Sequence, residues 1–285
     1  MIRIVVVGGR GYLGRWIAAR LGPGALVPGR AELDLAAGPA AVARALRAAA
    51  PDAVVNCAGA THGTPAELAA ANVTGTACLL AAMRAACPDA SLVHLGSAAE
   101  YGPGSPGRAT AEAGEPAPAG PYGRTKLAGT ELVRAAGIRA TVLRVFNPVG
   151  PGAPPHSLPG RLAAEIARVR GEGGPVRLGP LDGYRDFVDV RDVADAVAAA
   201  VHGGPEVVNV GSGTATPIRE FVRTVLASAG VDAPVTESGP GSARSAPVTW
   251  QQADVALAAA AWGWRPRISL AGSAAALAGA AELAS

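Results

Sequence analysis

A strongly apolar run at positions 2–7 (Ile-Arg-Ile-Val-Val-Val) leads straight into Gly8-Gly-Arg-Gly11-Tyr12-Leu13-Gly14. The run is a buried strand, and an apolar period of 3.6 over 13–21 makes the next element a helix. Three glycines between a strand and a helix permit a tight turn and let an anion approach the backbone. They also aim the helix N-terminus at that anion. The letters matter less than the order strand, glycines, helix, which confines this half of the chain to a nucleotide-binding unit.

The pattern then repeats. Strands are predicted at 25–28, 53–57, 91–95 and 140–146, and helices at 39–50, 66–86 and 122–136. Strands spaced by helices form βαβ units, hence a parallel sheet covered on both faces. Positions 102–121, rich in Gly, Pro and Ala, read as loop. Beyond 148 the elements shorten: loop at 150–160, helix at 161–170, strand at 176–178. An approach at 187–190 to a helix at 193–201 follows, then a strand at 207–210, a helix at 217–229, a polar stretch at 237–247 and a closing helix near 254–261. The expected architecture is an α/β, Rossmann-type doubly wound parallel sheet over 1–150, with 187–212 returning to it. A smaller substrate lobe occupies most of 151–285.

The chain of 285 residues can bury a sizeable core, and 49% hydrophobic with 16% charged residues is globular. A net charge of +3 without a basic run argues against a nucleic-acid partner. Cys57, Cys78 and Cys87 have no metal-ligand spacing and read as free thiols in a reducing compartment. The strand at the very start leaves no signal peptide, and the Ala-rich runs are broken by Arg, Pro or Asp. A cytoplasmic protein with no membrane partner is expected.

Cofactor choice is read at the end of the second strand. An Asp or Glu there would bind a ribose 2′-hydroxyl. This chain has Pro28-Gly29-Arg30, with Arg10 inside the glycine loop, a pair suited to a 2′-phosphate and so to NADP(H). Glu32 bending back would favour NAD(H) instead. Asp34 and Leu35 are expected near the adenine. Cys57, Ala58 and Gly59 follow the third strand beside the cofactor, and Asn72 steadies that face from the long helix.

Lys126 is the only lysine among 25 basic side chains, and it stands in Tyr122-Gly-Arg-Thr-Lys126. A helix puts i and i+4 on one face. A tyrosine needs a close cation to exchange a proton near neutrality, and a compact ammonium supplies it where a guanidinium cannot. Ser97, at the carboxyl end of the fourth strand, faces the ligand crevice of an open α/β sheet.

These motifs together resemble the extended short-chain dehydrogenase/reductases, the NAD-dependent epimerase/dehydratase group, along nearly the whole chain. The resemblance implies that Ser97 and Tyr122 bind the reacting carbonyl or hydroxyl and that Tyr122 passes the proton. Lys126 would hold the nicotinamide ribose and lower the tyrosine pKa. It implies that Phe146 and Pro148, in Leu143-Arg-Val-Phe-Asn147-Pro, lie at the nicotinamide. Asn147, Arg185 and Arg244 would contact the diphosphate of a nucleotide sugar, and a homodimer is expected. Ala98 and Ala99 stand where dehydrating members carry acids. Ser97-Ala-Ala-Glu100-Tyr-Gly, with Glu100 toward substrate, is similar to GDP-4-keto-6-deoxy-mannose reductases and related 4-ketoreductases. The expected reaction is NADP(H)-dependent reduction of a 4-keto sugar nucleotide. A 4-epimerase retaining NAD, a reductase of another small ketone and a non-catalytic NAD(P)-binding sensor stay open.

Overall fold

The apolar runs assemble into one parallel sheet in a computed structural model that describes residues 2–238 and 248–282. In chain order the first half is β1 (Ile4–Val7), α1 (Tyr12–Leu21), β2 (Ala25–Leu26), α2 (Pro39–Ala49), β3 (Ala53–Asn56), α3 (Pro65–Ala69), α4 (Gly75–Ala86), β4 (Ser91–Ser97), α5 (Pro121–Arg134) and β5 (Ala140–Val145). The second half is β6 (Asn147–Val149), α6 (Leu158–Glu172), β7 (Val176–Leu178), β8 (Tyr184–Asp189), α7 (Val190–Ala200), β9 (Val207–Val210), β10 (Ala215–Pro217), α8 (Ile218–Ser228), β11 (Val235–Glu237), α9 (Ala256–Trp262) and α10 (Leu270–Glu282).

The main sheet has the order β2-β1-β3-β4-β5-β9, every pair parallel. Val-rich strands buried on both faces need two covers. On one face Ile17, Val193 and Val197 close one core, and on the other Leu46, Leu79 and Met83 close a second. The connections reverse direction between β1 and β3, which opens a crevice at the carboxyl edge, where ligands bind in sheets of this kind. A third core joins Leu162, Ile166, Leu178, Phe221 and Leu277 from the shorter elements, with the Phe187 and Phe221 rings stacked at 4.1 Å.

Several expected boundaries move. β4 extends to Ser97, so the hydroxyl belongs to the strand's last residue. The long helix opens on a capping box between Thr64 and Glu67 and carries a π turn at Ala70–Thr74. At 22 residues and a mean hydropathy of 1.3, Pro65–Ala86 is long and apolar enough to cross a membrane, contrary to the reading of broken runs. Half of its most apolar 18-residue stretch is buried inside this fold. The chain does not close near 261: α10 follows and packs on α6 and α8. Ala, Gly and Leu all around α10 leave no one-sided apolar stripe for a sequence to show.

Candidate active site

The glycine loop has the shape its spacing demands. Gly8 sits at φ 73°, and the Gly11 N–H donates to the Gly8 carbonyl at 3.0 Å. A Cβ on Gly8 would stand 2.7 Å from the Ala58 nitrogen, and one on Gly14 would stand 2.2 Å from the Gly8 oxygen. Gly11 caps α1 without any side-chain bond, and the first turn carries no acid, so its N–H groups remain for an anion. Beyond β2, the Arg10 guanidinium lies over Gly29, where a Cβ would approach it to 2.8 Å. Arg30 is exposed. Glu32 does bend back, its carboxylate accepting from the Gly29 N–H at 2.6 Å. Both features weighed from the sequence therefore meet at one turn. Asp34 caps the 3₁₀ turn Leu35–Ala37 by accepting from the Ala36 N–H at 3.0 Å, and Leu35 packs toward Gly75.

Around the expected catalytic trio the backbone is close-fitted. Ser97 accepts from the Ala99 N–H through Oγ at 3.2 Å. Pro at the first position starts α5, as its missing N–H allows. Gly123 then lets the helix lie on the serine turn, since a Cβ there would meet the Ala99 oxygen at 2.4 Å. Lys126 is 7% exposed, and its Nζ donates to the Leu95 carbonyl on β4. Ser97 and Tyr122 line one cavity of about 740 Å³, together with Gly11, Tyr12, Leu13, Cys57, Gly59, Phe146 and Pro148. Burial pushes the Cys57 thiol up to about 12, against the opposing pull of the Lys126 charge. His94, buried behind Lys126, is held well below the usual histidine range by burial and then by that charge.

Asn147 and Arg185 also line this cavity. The Asn147 amide donates to the Asp186 carbonyl at 2.9 Å and to Gln251 at 3.2 Å. Arg185 is 5% exposed, and burial pulls its pKa down to about 10. Two expected contacts stand elsewhere. Glu100, read toward substrate, is 0% exposed and ion-paired to Arg144 at 2.8 Å, so it cannot touch a ligand. Asn72 is buried, bonding Ala60 through both its oxygen and its amide and Thr125 through the amide; it clamps the loop after β3 to α5. Arg244 lies outside the described residues.

Sequence reasoning missed the cavity residues Thr61, His62, His156 and Arg161. The two imidazoles meet at 3.8 Å, and Thr61 Oγ1 lies 2.7 Å from His156 Nε2. Arg161 Nε is buried without a hydrogen-bond partner. Two histidines from a set of four were the available signal, but they stand 94 positions apart and only the fold brings them together.

A glycine cradle at a helix start, with Ser97 and Tyr122 on one crevice and Lys126 buried on the tyrosine's helix, fits the class of NAD(P)-dependent Rossmann enzymes. The chain belongs to the NAD dependent epimerase/dehydratase family, whose model matches residues 4–211. It is 39% identical to dTDP-6-deoxy-L-talose 4-dehydrogenase (NAD(P)(+)) of Kitasatospora kifunensis, over 94% of this chain and 92% of that one. It is 30% identical to GDP-6-deoxy-D-mannose reductase of Pseudomonas aeruginosa, over 94% and 93%. The structure of RMD from Pseudomonas aeruginosa complexed with NADPH superposes with a TM-score of 0.88 at 28% identity, covering 100% of both chains. The UDP-glucose 4-epimerase of Thermus thermophilus in complex with NAD superposes at 0.86 with 26% identity, again over 100% of both.

Proposed function

We propose that this enzyme reduces the 4-keto group of a nucleotide-linked 6-deoxyhexose with NADPH. The observation that carries the reading is the turn after Ser97. Ala98 and Ala99 have no titratable group, and Glu100 is buried in an ion pair. One proton donor at the reacting oxygen, Tyr122, suffices for reduction, whereas dehydration needs further acids and bases. Both full-length relatives named above act at position 4 of a 6-deoxy sugar nucleotide or on a 6-deoxymannose nucleotide.

A dihydronicotinamide held along the glycine loop would supply the hydride. Ser97 Oγ donates to the carbonyl oxygen and holds it while Tyr122 Oη delivers the proton. The Lys126 ammonium, buried behind them, balances the charge left on the tyrosine. Gly8, Gly11, Gly14 and the open α1 N-terminus fit the pyrophosphate, and Arg10 and Arg30 the 2′-phosphate. Arg185 and Arg161 fit the sugar diphosphate: the first is desolvated on the cavity wall and the second has an unmet donor there. Free Cys57, Cys78 and Cys87 support a cytoplasmic enzyme, and the family resemblance supports a homodimer.

Glu32, bonded to the Gly29 N–H, favours the second reading, a 4-epimerase that keeps NAD bound. The test is a panel of dTDP- and GDP-linked 4-keto-6-deoxyhexoses with NADPH, beside UDP-hexoses with NAD. NADPH oxidation by a 4-keto compound is expected. Epimerised UDP-hexose without NADPH oxidation would overturn the reductase reading.

A further inference from the structure

The Glu100 carboxylate, freed from any role at the substrate, ties three elements together. Its Oε1 accepts from the Ser97 N–H at 2.8 Å at the end of β4. Its Oε2 accepts from Thr130 Oγ1 at 3.0 Å on α5 and from Arg144 Nε at 2.8 Å on β5. Thr130 is four residues beyond Lys126 and eight beyond Tyr122, so all three share one stripe of α5. A single group therefore spans from the serine to the helix that bears the tyrosine and lysine.

The surroundings are built for this span. Gly96 clears its path, since a Cβ there would come within 2.7 Å of Glu100 Oε1. Glu100 and Arg144 are 0% and 3% exposed. The Arg144 guanidinium lies 4.4 Å over the Tyr101 ring, and the Tyr101 hydroxyl donates to Asn209 Oδ1 at 2.8 Å. Burying two charges costs more than their attraction returns unless the geometry is tight, and an apolar pair of like volume serves stability as well. Stability alone does not explain why this turn holds a carboxylate.

We propose that Glu100 is a positioning residue: with Arg144 as its anchor, its carboxylate sets Ser97 against the Tyr122–Lys126 face of α5. The inference rests on Ser97 and Tyr122 being catalytic, as in the proposed function, but holds for reduction and epimerisation alike. A shift of about 1 Å at such a group costs up to about a hundredfold in rate.

The test is a double-mutant cycle on the full chain. The apolar pair Glu100→Val with Arg144→Met is made in the parent and in Ser97→Ala, with active sites counted by cofactor titration. Activity is followed on whichever compound of the panel above the parent turns over, so failure of the reductase reading leaves the cycle intact. The expected result in the parent is a kcat lower by about ten- to a hundredfold per counted site, with cofactor affinity unchanged. In Ser97→Ala the same pair should lower kcat less than threefold, because the group it positions is gone. If the pair does not fold, Thr130→Val, which keeps the ion pair and removes one tie, takes its place in the cycle with a smaller drop of the same pattern. An unchanged kcat in the parent, or an equal drop in both backgrounds, overturns the proposal.

Discussion

Replacing Arg30 with Ala should weaken NADPH while sparing NADH. Arg30 is exposed and Arg10 lies over Gly29, at the turn where a 2′-phosphate would stand. A phosphate of about two negative charges at about 4 Å from a guanidinium is worth about 2 kcal/mol in water. Screening at physiological salt, with a Debye length of about 8 Å, reduces this to about 1–1.5 kcal/mol. That corresponds to a roughly five- to twelvefold rise in the NADPH dissociation constant. NADH lacks the phosphate and should shift less than about twofold. Glu32→Gln removes a negative charge bonded to the Gly29 N–H and should tighten NADPH by a smaller factor. The assay is fluorescence titration of both cofactors at fixed ionic strength, repeated at high salt, where the parent's NADPH affinity should fall toward that of Arg30→Ala. NADPH binding unmoved by Arg30→Ala, together with NADH binding weakened by Glu32→Gln, would show that the carboxylate reads the ribose and refute the phosphate site.

Tyr122→Phe should retain cofactor affinity and lose about a hundred- to ten-thousandfold in kcat, and Lys126→Arg should also be poor; parental turnover in either would remove the trio from catalysis. Burial opposes the Asp189 carboxylate, but bonds from Arg191 and Ser273 outweigh it and hold the carboxyl below its usual range. Its stabilisation is thus present above the unfolded pKa of about 3.9 and is lost as pH falls through the folded value. Asp189→Asn should therefore cost about 1–3 kcal/mol in urea unfolding at neutral pH and progressively less as pH falls below about 3.9, and a cost that did not shrink there would exclude the charge. With Cys57 pushed up to about 12, its alkylation at pH 8 should be slow, speed up about tenfold per pH unit and be blocked by bound cofactor; the rate of an ordinary free thiol would contradict the raised pKa.

What the amino-acid order determines here is local and periodic. Gly8, Gly11 and Gly14 must follow a strand and open a helix, because no side chain fits between the Gly8 oxygen and α1. Tyr122 and Lys126 share a helix face through a four-residue spacing, and Ser97 reaches the crevice because it ends a parallel strand. These features need no knowledge of distant residues. The tertiary structure alone assigned the partners of single polar groups. Glu100, adjacent to the motif, turns inward because Arg144 and Thr130, 44 and 30 positions away, arrive beneath it with a charge and a hydroxyl. Asn72 is spent on Ala60 and Thr125, and Arg161 joins His62 and His156 on the cavity wall only after α6 folds back. A side chain's role is set by what desolvates it and what meets its hydrogen bonds. For these residues both come from segments that no spacing in the chain connects.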